Sequence, residues 1–383
     1  MNNILLIGNG FDIAHGLQTR YGDFLELIKN WKFLWECYQK NCPMPKTDII
    51  DKFLVDRDGM DKDNLIELHR IIRQNSWIKY FEKCEAEVDG WIDFEKEIIP
   101  VIDFFDFLFH CDVTVEQPNK SIIIPKQQFT RSQLVRIASL WDNFVTCGSD
   151  TIHIKSKYIS GQYGILKKKM MKELRREFEE FIRAFEIYLL EFVHKSEKIT
   201  RIKQIEEIEI TSVVSFNYTL TEQRYGISEE NVHHIHGMIR TEKDSDRLNN
   251  MVMGINEQPD QKMDFIYFVK YFQRLQKGSG THYKDIIKIR TFDKKTSIKS
   301  DEYTLYIYGH SLDETDEDIL KYLIGDLDTN NLKKTKPEQV VIFYYDADDY
   351  EQKLINLIKL YGRETVETKM EKQYFEFRQI IEE

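Results

Sequence analysis

The chain has 383 residues, 42% of them hydrophobic and 31% charged, with a formal net charge of −11 at pH 7. These values are ordinary for a globular protein of one or two domains. No apolar run approaches the roughly 18 residues of a membrane span, and no basic segment precedes the short apolar run at the start, so neither a membrane anchor nor a signal peptide is expected. We therefore expect a cytoplasmic protein with no membrane partner. The negative charge disfavours nucleic acid as a partner, because a phosphate backbone would be repelled.

The cysteines predict neither a disulfide framework nor a zinc ribbon. Their number is odd and they are widely scattered, which indicates a reduced state. No CxxC pair occurs, whereas a four-cysteine zinc ribbon needs two such pairs to complete its tetrahedron. The cysteines are Cys37, Cys42, Cys84, Cys111 and Cys147.

The first predicted element is a buried strand that ends in a glycine-rich turn. The text ILLIGNGFDIAHGL is apolar up to Gly8, and a helix is predicted to begin near Phe11 or Asp12. Glycine at such a turn lets backbone N–H groups approach a phosphate at the positive end of the helix. Gly16 comes six residues after Gly10, so the dinucleotide fingerprint GxGxxG is not met. An ordinary tight turn between a strand and a helix therefore stays open.

The middle of the chain, from about residue 25 to residue 205, is predicted to be mostly helical. Its clearest helical segments are residues 79–109 and 165–194. In the second segment, apolar residues recur every three or four positions, which is typical of a helix that packs one face into a core. Residues 111–130 and 277–300 are predicted to be loops or edge hairpins, because Pro, Gly, Ser and Asn interrupt them.

Further strands are predicted in the second half of the chain, from the text ITSVVSF, NVHHIHG, TLYIYG and QVVIFYY. With the first strand they form an α/β core, with a mostly parallel sheet flanked by helices. A large helical insertion separates the first strand and helix from the rest of this core. The predicted division is 1–30 for the first strand and helix, 31–205 for the insertion, 206–350 for the remaining core and 351–383 for a C-terminal helical segment.

Polar side chains follow several of these strands, and open parallel sheets bind ligands at such strand ends. In SFNYT, Asn217 is either a turn former or a fixed amide that orients a hydroxyl or a water. In VHHIHG, alternation along a strand would put His234 and His236 on one face and His233 on the other. These histidines lack further ligands for a metal, so no metal is predicted. A general base fits better, and Gly237 would let a ligand approach the backbone.

The last motif, YIYGHSLDETD, also follows a predicted strand. Gly309 and Ser311 would receive a ribose or a phosphate there. A plain helix start with Ser311 as the N-cap is equally consistent with this text. The two interpretations stay open.

The motifs GNGFDIAHGL, SFNYT, HIHG and GHSLDETD occur in the order of the sirtuin-like NAD-binding motifs. Asn217 matches the catalytic asparagine of that group and His236 matches its catalytic histidine. The glycine spacing at Gly8, Gly10 and Gly16 is similar to the sirtuin pattern. With WIDFE at residues 91–95, and with SFNYT followed by IHG, the chain most closely resembles the bacteriophage abortive infection AbiH family.

This resemblance implies a Rossmann-like, sirtuin-like core and a cytoplasmic effector of antiphage defence that hydrolyses the nicotinamide–ribose bond of NAD. Asn217 would position a water or a hydroxyl, and His236 would polarise it. Asp12 stands where sirtuins have a serine, and Thr219 where they usually have an aspartate. The residues expected to contact NAD are Gly8, Asn9, Gly10, Phe11, Asp12, Gly16, Ser215, Thr219, Gly237, Gly309 and Ser311, with Glu95 and His234 as further pocket candidates.

The motif WIDFE has two interpretations. Trp91 and Phe94 would anchor a helix, with Asp93 and Glu95 as favourable acids in its first turn. Alternatively, Glu95 enters the pocket, where its carboxylate would stabilise the positive charge that develops on the ribose.

Two other functions stay open at this point. The same pocket would sense NAD or an ADP-ribose derivative without cleaving it, and a partner in the defence system would execute the response. A redox dehydrogenase fits less well, because the glycine spacing differs and no acid is clearly placed about 20 residues further on. A homo-oligomer and a partner from the defence system are both open as assemblies of this chain.

Overall fold

The chain folds into two compact units. The first comprises residues 1–19, 196–251 and 274–383, and the second comprises residues 20–195 and 252–273. The four-part division expected from the sequence stays a prediction. This computed structural model describes residues 2–39, 47–53, 59–85, 94–110, 114–116, 121–126, 137–160, 164–195, 200–240, 249–256, 262–280, 283–284, 303–325 and 337–381.

The strands and helices are numbered in chain order over these residues. The strands are β1 Asn2–Ile7, β2 Thr114–Glu116, β3 Ser121–Pro125, β4 Val145–Cys147, β5 Thr151–Ile154, β6 Ile159–Ser160, β7 Gly164–Ile165, β8 Ser212–Ser215, β9 Val232–His234, β10 Tyr303–Tyr308, β11 Gln339–Tyr344 and β12 Phe375–Gln379. The helices are α1 Asn9–Ala14, α2 Tyr21–Gln39, α3 Asp48–Phe53, α4 Lys62–Gln74, α5 Ser76–Glu85, α6 Phe94–His110, α7 Lys167–Tyr188, α8 Lys203–Glu206, α9 Lys270–Lys277, α10 Glu317–Ile324, α11 Ala347–Tyr361 and α12 Arg363–Glu371. A π-helical turn, Leu189–His194, continues α7.

Over its described residues, the first unit contains a six-stranded sheet in the order β12-β11-β10-β1-β8-β9. Every neighbouring pair in it is parallel, and Ile4 of β1 lies opposite Leu305 of β10 and Ser212 of β8. Leu6 packs into one apolar cluster and Leu5 into another, and both are fully buried. A parallel sheet covered on both faces needs apolar residues at every position, which explains the uninterrupted run at the start of the chain.

The second unit contains α2 to α7 and a small antiparallel sheet in the order β2-β3-β5-β4. Aromatic rings fill its core, where Phe94 stacks on both Tyr21 and Phe81 with ring centroids 4.4 Å apart in each case. On α7 the predicted apolar stripe is buried, as Leu174, Phe181 and other members show.

The α/β class with a mostly parallel, helix-flanked sheet is confirmed. All five predicted strands form, but α1 begins at Asn9, about two residues before the predicted start. The strand β12 and the sheet β2-β3-β5-β4 were not among the predicted elements, although β2 and β3 pair as an antiparallel hairpin within the stretch predicted as a loop or hairpin. Most of residues 277–300 lies outside the described residues. Among the residues that the structure describes, no helix is both long and apolar enough to cross a bilayer.

Candidate functional site

The predicted motifs meet at one edge of the parallel sheet. The strands β10, β1, β8 and β9 are neighbours in that order, and each ends at this edge. Gly309 and His310 follow β10, Gly8 follows β1, Asn217 lies two residues beyond β8, and His236 lies two residues beyond β9. Residues from four distant parts of the sequence thus come next to one another where parallel strands end, which is where open α/β sheets bind ligands.

The glycine turns after β1 and β10 pack directly against each other. A Cβ on Gly8 would lie 2.7 Å from the carbonyl oxygen of Gly309, and one on Gly10 would lie 2.7 Å from the Cα of Gly309. The Gly10 N–H donates to the Gly309 carbonyl at 2.9 Å, and the Gly8 N–H donates to the Tyr308 carbonyl at 3.1 Å. Because these two amides already donate within the protein, the phosphate cradle expected from them would have to use other N–H groups of the turn.

Other residues of the first motif hold the turn and the short helix. Asn9 is an exposed residue, and its carboxamide oxygen accepts from the Thr19 hydroxyl at 2.6 Å. Phe11 is fully buried, and its ring meets Tyr308 edge-on. Gly16 has φ +79° just after α1. It therefore serves as the left-handed residue that ends a helix, which glycine adopts without strain.

Five residues form what we call the Asp12 cluster: Asp12, Asn217, Thr219, Glu222 and His234. The Thr219 hydroxyl donates to Asp12 Oδ2 at 2.6 Å, and the Asn217 amide donates to the Gly8 carbonyl at 3.0 Å. Burial raises the pKa of Asp12 to about 6, against the lowering effect of the Thr219 hydrogen bond. Among the described residues, Asp12 Oδ1 has no hydrogen-bond partner.

His234 and Glu222 lie next to each other in this cluster. His234 Nδ1 lies 2.9 Å from the Asn217 carbonyl, so Nδ1 carries a proton, and Nε2 lies 3.4 Å from Glu222 Oε1. Glu222 is only 1% exposed. Burial alone would lower the pKa of His234, but Glu222, the Asn217 carbonyl and Asp12 together raise it. The imidazolium form is thus favoured next to two buried carboxyl groups.

Four other residues form what we call the Asp316 cluster: Phe216, His236, His310 and Asp316. One carboxylate oxygen of Asp316 lies 3.6 Å from His236 Nε2, and the other lies 3.6 Å from His310 Nε2. The ring centroid of Phe216 lies 4.3 Å from that of His310 and 5.5 Å from that of His236. The cluster thus brings together one carboxylate and two imidazoles from the segments that follow β9 and β10, although β1 and β8 lie between these two strands in the sheet.

The expectation that His234 and His236 share one strand face is wrong. The strand β9 ends at His234, and the chain turns before Gly237, whose φ is +74°. A Cβ on Gly237 would lie 2.1 Å from the Asn250 carbonyl oxygen, so this turn requires glycine. Side-chain alternation therefore stops before His236, and the two rings face different carboxylates.

Ser215 and Ser311, which were both predicted to contact the ligand, form hydrogen bonds within the protein. The Ser215 hydroxyl accepts from the Asn217 N–H at 3.1 Å, which closes the turn after β8. Ser311 is exposed, and its carbonyl accepts from the Asn356 amide at 2.9 Å. Ser311 does not cap a helix, because Asp313 accepts from the Thr315 N–H and caps the next helical turn instead.

Glu95 lies in the second unit. It is in the first turn of α6, beside the buried Phe94, and its carboxylate pairs with Lys270 at 2.7 Å. Trp91 and Asp93 of the same motif lie outside the described residues. A role for Glu95 in the pocket stays a prediction. Within the described part of the chain, no group of three or more His, Cys, Asp or Glu side chains could hold a metal ion.

A comparison with known protein families decides the identity of the chain. Residues 4–336 match the family model described as Bacteriophage abortive infection AbiH. The chain belongs to the AbiH family. This membership suggests a role in phage abortive infection defence. No curated protein and no solved structure gives a significant match to the chain.

In this AbiH chain, sequence reasoning missed four residues of the two clusters: Phe216, Glu222, His310 and Asp316. His310 directly follows Gly309, and Asp316 ends the motif GHSLDETD, so both lay within text already singled out. Glu222 comes three residues after Thr219. No spacing rule pairs these side chains with histidines on another strand, because the pairing depends on how the strands are ordered in the sheet.

Proposed function

We propose that this AbiH chain is a NAD-consuming effector of abortive infection defence that hydrolyses the nicotinamide–ribose bond. The strand order carries the proposal. When the six strands of the sheet are numbered in chain order, their order from β9 to β12 is 3-2-1-4-5-6. Doubly wound dinucleotide-binding folds have this order, and their ligand lies where the order reverses, here between β1 and β10. This order supports the proposed Rossmann-like core, and the sirtuin-like part of the proposal rests on the resemblance of the motifs.

The turns at this reversal point are the candidate contacts for the nucleotide. Gly8, Asn9 and Gly10 would face the pyrophosphate, and Gly309 and Ser311 would lie on the adenosine side. Asn9 and Ser311 are exposed, so both can be reached by a ligand from solvent. The other predicted contacts would hold these turns in place and line the pocket beside them. They are Phe11, Asp12, Gly16, Ser215, Thr219 and Gly237.

The chemistry needs a base next to the ribose. When the C1′–N bond breaks, its electron pair leaves with nicotinamide, and C1′ becomes oxocarbenium-like. A water then bonds to C1′ and gives up a proton to a base. His236 is proposed as that base, and Asn217 as the amide that positions the water or the ribose hydroxyl.

The alternative, an NAD or ADP-ribose sensor without catalysis, is favoured by one observation. Asn217 is 4% exposed, and its amide donates to the Gly8 carbonyl. Through this hydrogen bond, a ligand that moves the glycine turn would also move Asn217 and thus the segment after β8. In this case a partner would carry out the defence response.

Nicotinamide release from NAD by the purified chain separates the two functions. The hydrolase predicts release by the wild type and a loss of about 100-fold to 10,000-fold in Asn217→Ala or His236→Ala. The double variant should be little worse than either single one, because residues that act as a unit are not additive. His110→Ala, at an exposed helix end, is the matched control. Binding of NAD by calorimetry with no release by the wild type would leave the sensor standing.

A further inference from the structure

We propose that Asp316 is a positioning residue that fixes the tautomers of two histidines and thereby makes His236 Nδ1 the proton-accepting atom. The chemical purpose of this arrangement rests on the proposed NAD cleavage, whereas the arrangement itself can be tested without it. Asp316, His236 and His310 are 9%, 6% and 5% exposed, so water competes little for their contacts.

The backbone around Asp316 is well fixed. Asp316 ends the 3-10 turn Glu314–Asp316, directly before α10. The Asp313 carboxylate accepts from the Thr315 N–H at 2.9 Å, and the Asp313 carbonyl accepts from the Asp316 N–H at 3.2 Å. The turn thus sets the direction of the Asp316 carboxylate.

A hydrogen bond assigns the tautomer of His310. The Leu312 N–H donates to His310 Nδ1 at 3.0 Å, so Nδ1 holds a lone pair. In the neutral ring the proton is therefore on Nε2, which faces Asp316. Leu312 has φ +59°, a conformation that side chains other than glycine rarely adopt. The Asn356 amide, bonded to the Ser311 carbonyl, supports the same turn.

The same carboxylate orients His236. If His236 Nε2 carried no proton, its lone pair would face a carboxylate oxygen 3.6 Å away, which is repulsive. The Nε2–H tautomer is thus favoured, and Nδ1 then carries the lone pair. At 3.6 Å this contact is longer than a hydrogen bond, but contacts of this kind often tighten only when a ligand binds.

Nδ1 of His236 then takes the proton of the attacking water. The water oxygen bonds to C1′, the electron pair of the C1′–N bond leaves with nicotinamide, and the water proton moves to Nδ1. The resulting imidazolium faces Asp316, which stabilises its charge. His310 presents its Nε2–H to the other carboxylate oxygen of Asp316. His234 differs, because its Nδ1 carries the proton toward the Asn217 carbonyl.

The tautomers can be measured in the full chain labelled with ¹⁵N-histidine, because the ¹⁵N shifts of the ring distinguish Nε2–H from Nδ1–H. His236→Gln assigns the signals. We expect His236 of the wild type in the Nε2–H form. In Asp316→Asn the new amide N–H faces Nε2, so the proton should move to Nδ1. Glu314→Gln, at an exposed acid on the same turn, is the matched control and should leave His236 unchanged.

A wild-type His236 in the Nδ1–H form would overturn the proposal, and so would an Asp316→Asn spectrum that leaves His236 unchanged. The first outcome needs no variant, so the proposal stays testable even if Asp316→Asn does not fold. In the hydrolysis assay, Asp316→Asn should lower kcat about 100-fold to 10,000-fold with KM nearly unchanged. A wild type that releases no nicotinamide would overturn the proposed function, while the ring shifts still decide the tautomers.

Discussion

The Asp12 cluster and the Asp316 cluster lie at the same edge of one sheet but have opposite charge balance. The first has two carboxyl groups, Asp12 and Glu222, around the single imidazole of His234. The second has one carboxylate, Asp316, between the imidazoles of two histidines. The two buried carboxyl groups raise the pKa of His234 despite its burial, whereas the single carboxylate of Asp316 is divided between two rings. In the proposed function, the first cluster holds structure and the second transfers a proton.

The largest expected effect comes from the glycine turns on which both clusters depend. Gly309→Ala places a Cβ 2.1 Å from the Phe11 nitrogen, at a residue with φ +68°. We expect the free energy of unfolding to fall by more than about 4 kcal/mol, because neither backbone can move aside. Gly226→Ala is the control, since Gly226 has φ +74° but nothing within 4 Å. It should cost only about 1–2 kcal/mol. If urea denaturation showed the same loss of unfolding free energy in both variants, the close approach of the two turns would not contribute to stability.

Replacing one histidine in each cluster separates structure from chemistry. His234→Ala leaves Glu222 buried without its charged partner, and should lower the free energy of unfolding by about 3–5 kcal/mol. Any loss of nicotinamide release should then follow the unfolded fraction. His236→Ala should lower nicotinamide release about 100-fold to 10,000-fold with a much smaller change in melting temperature. If His234→Ala lost activity while its melting temperature held, the assignment of the two clusters would be reversed.

A pH series on Asp12→Asn tests whether the buried carboxyl group of Asp12 destabilises the folded chain when it is ionised. The folded-state pKa of Asp12 is raised from 3.8 to about 6, so folding favours the protonated form and stability is lost as pH rises between these values. Above that range the ionised carboxylate costs at most about 3 kcal/mol, which the neutral carboxamide of the variant avoids. We expect Asp12→Asn to raise the melting temperature at about pH 7 and to have little effect at about pH 4. A gain in melting temperature that is the same at both pH values would contradict the raised pKa of Asp12.

The smallest expected effect is stabilisation by the ligand. NAD or ADP-ribose at about 100 times its dissociation constant should raise the free energy of unfolding by about 2.7 kcal/mol, if it binds only the folded state. Replacing the exposed Asn9 by Ala should reduce this shift, whereas Asn30→Ala, on a helix of the second unit, should leave it unchanged. If millimolar ligand did not change the free energy of unfolding, and calorimetry showed no binding, this would contradict nucleotide binding by the chain.

Local sequence patterns were sufficient for α7 and for five strands of the parallel sheet, β1, β8, β9, β10 and β11. The run from Ile4 to Ile7 is apolar throughout because both sheet faces are covered, and the stripe on α7 has the period of a helix. The edge strand β12 escaped prediction, since the text FEFRQ alternates and only two of its residues, Phe375 and Phe377, pack on the core. An edge strand has too few apolar residues to stand out from the helices before it.

The clusters could be predicted only in part. Asn217 and His236 were found because they lie in short motifs at strand ends. The contacts of Glu222 and Asp316 with histidines could not be predicted, because each depends on which strand lies next to which and on where β9 ends. A single residue separates His234 from His236 in the sequence, yet the end of the strand between them gives the rings different partners.

The most direct test of NAD consumption is the NAD content of infected cells. Strains with the wild type, Asn217→Ala or His236→Ala, matched for protein level, would be challenged with phage, and cellular NAD would be followed over the infection. We expect NAD to fall in the protected wild-type culture, and to hold in both variant strains as protection is lost. A protected wild-type culture whose NAD stays constant would contradict hydrolysis at the Asp316 cluster.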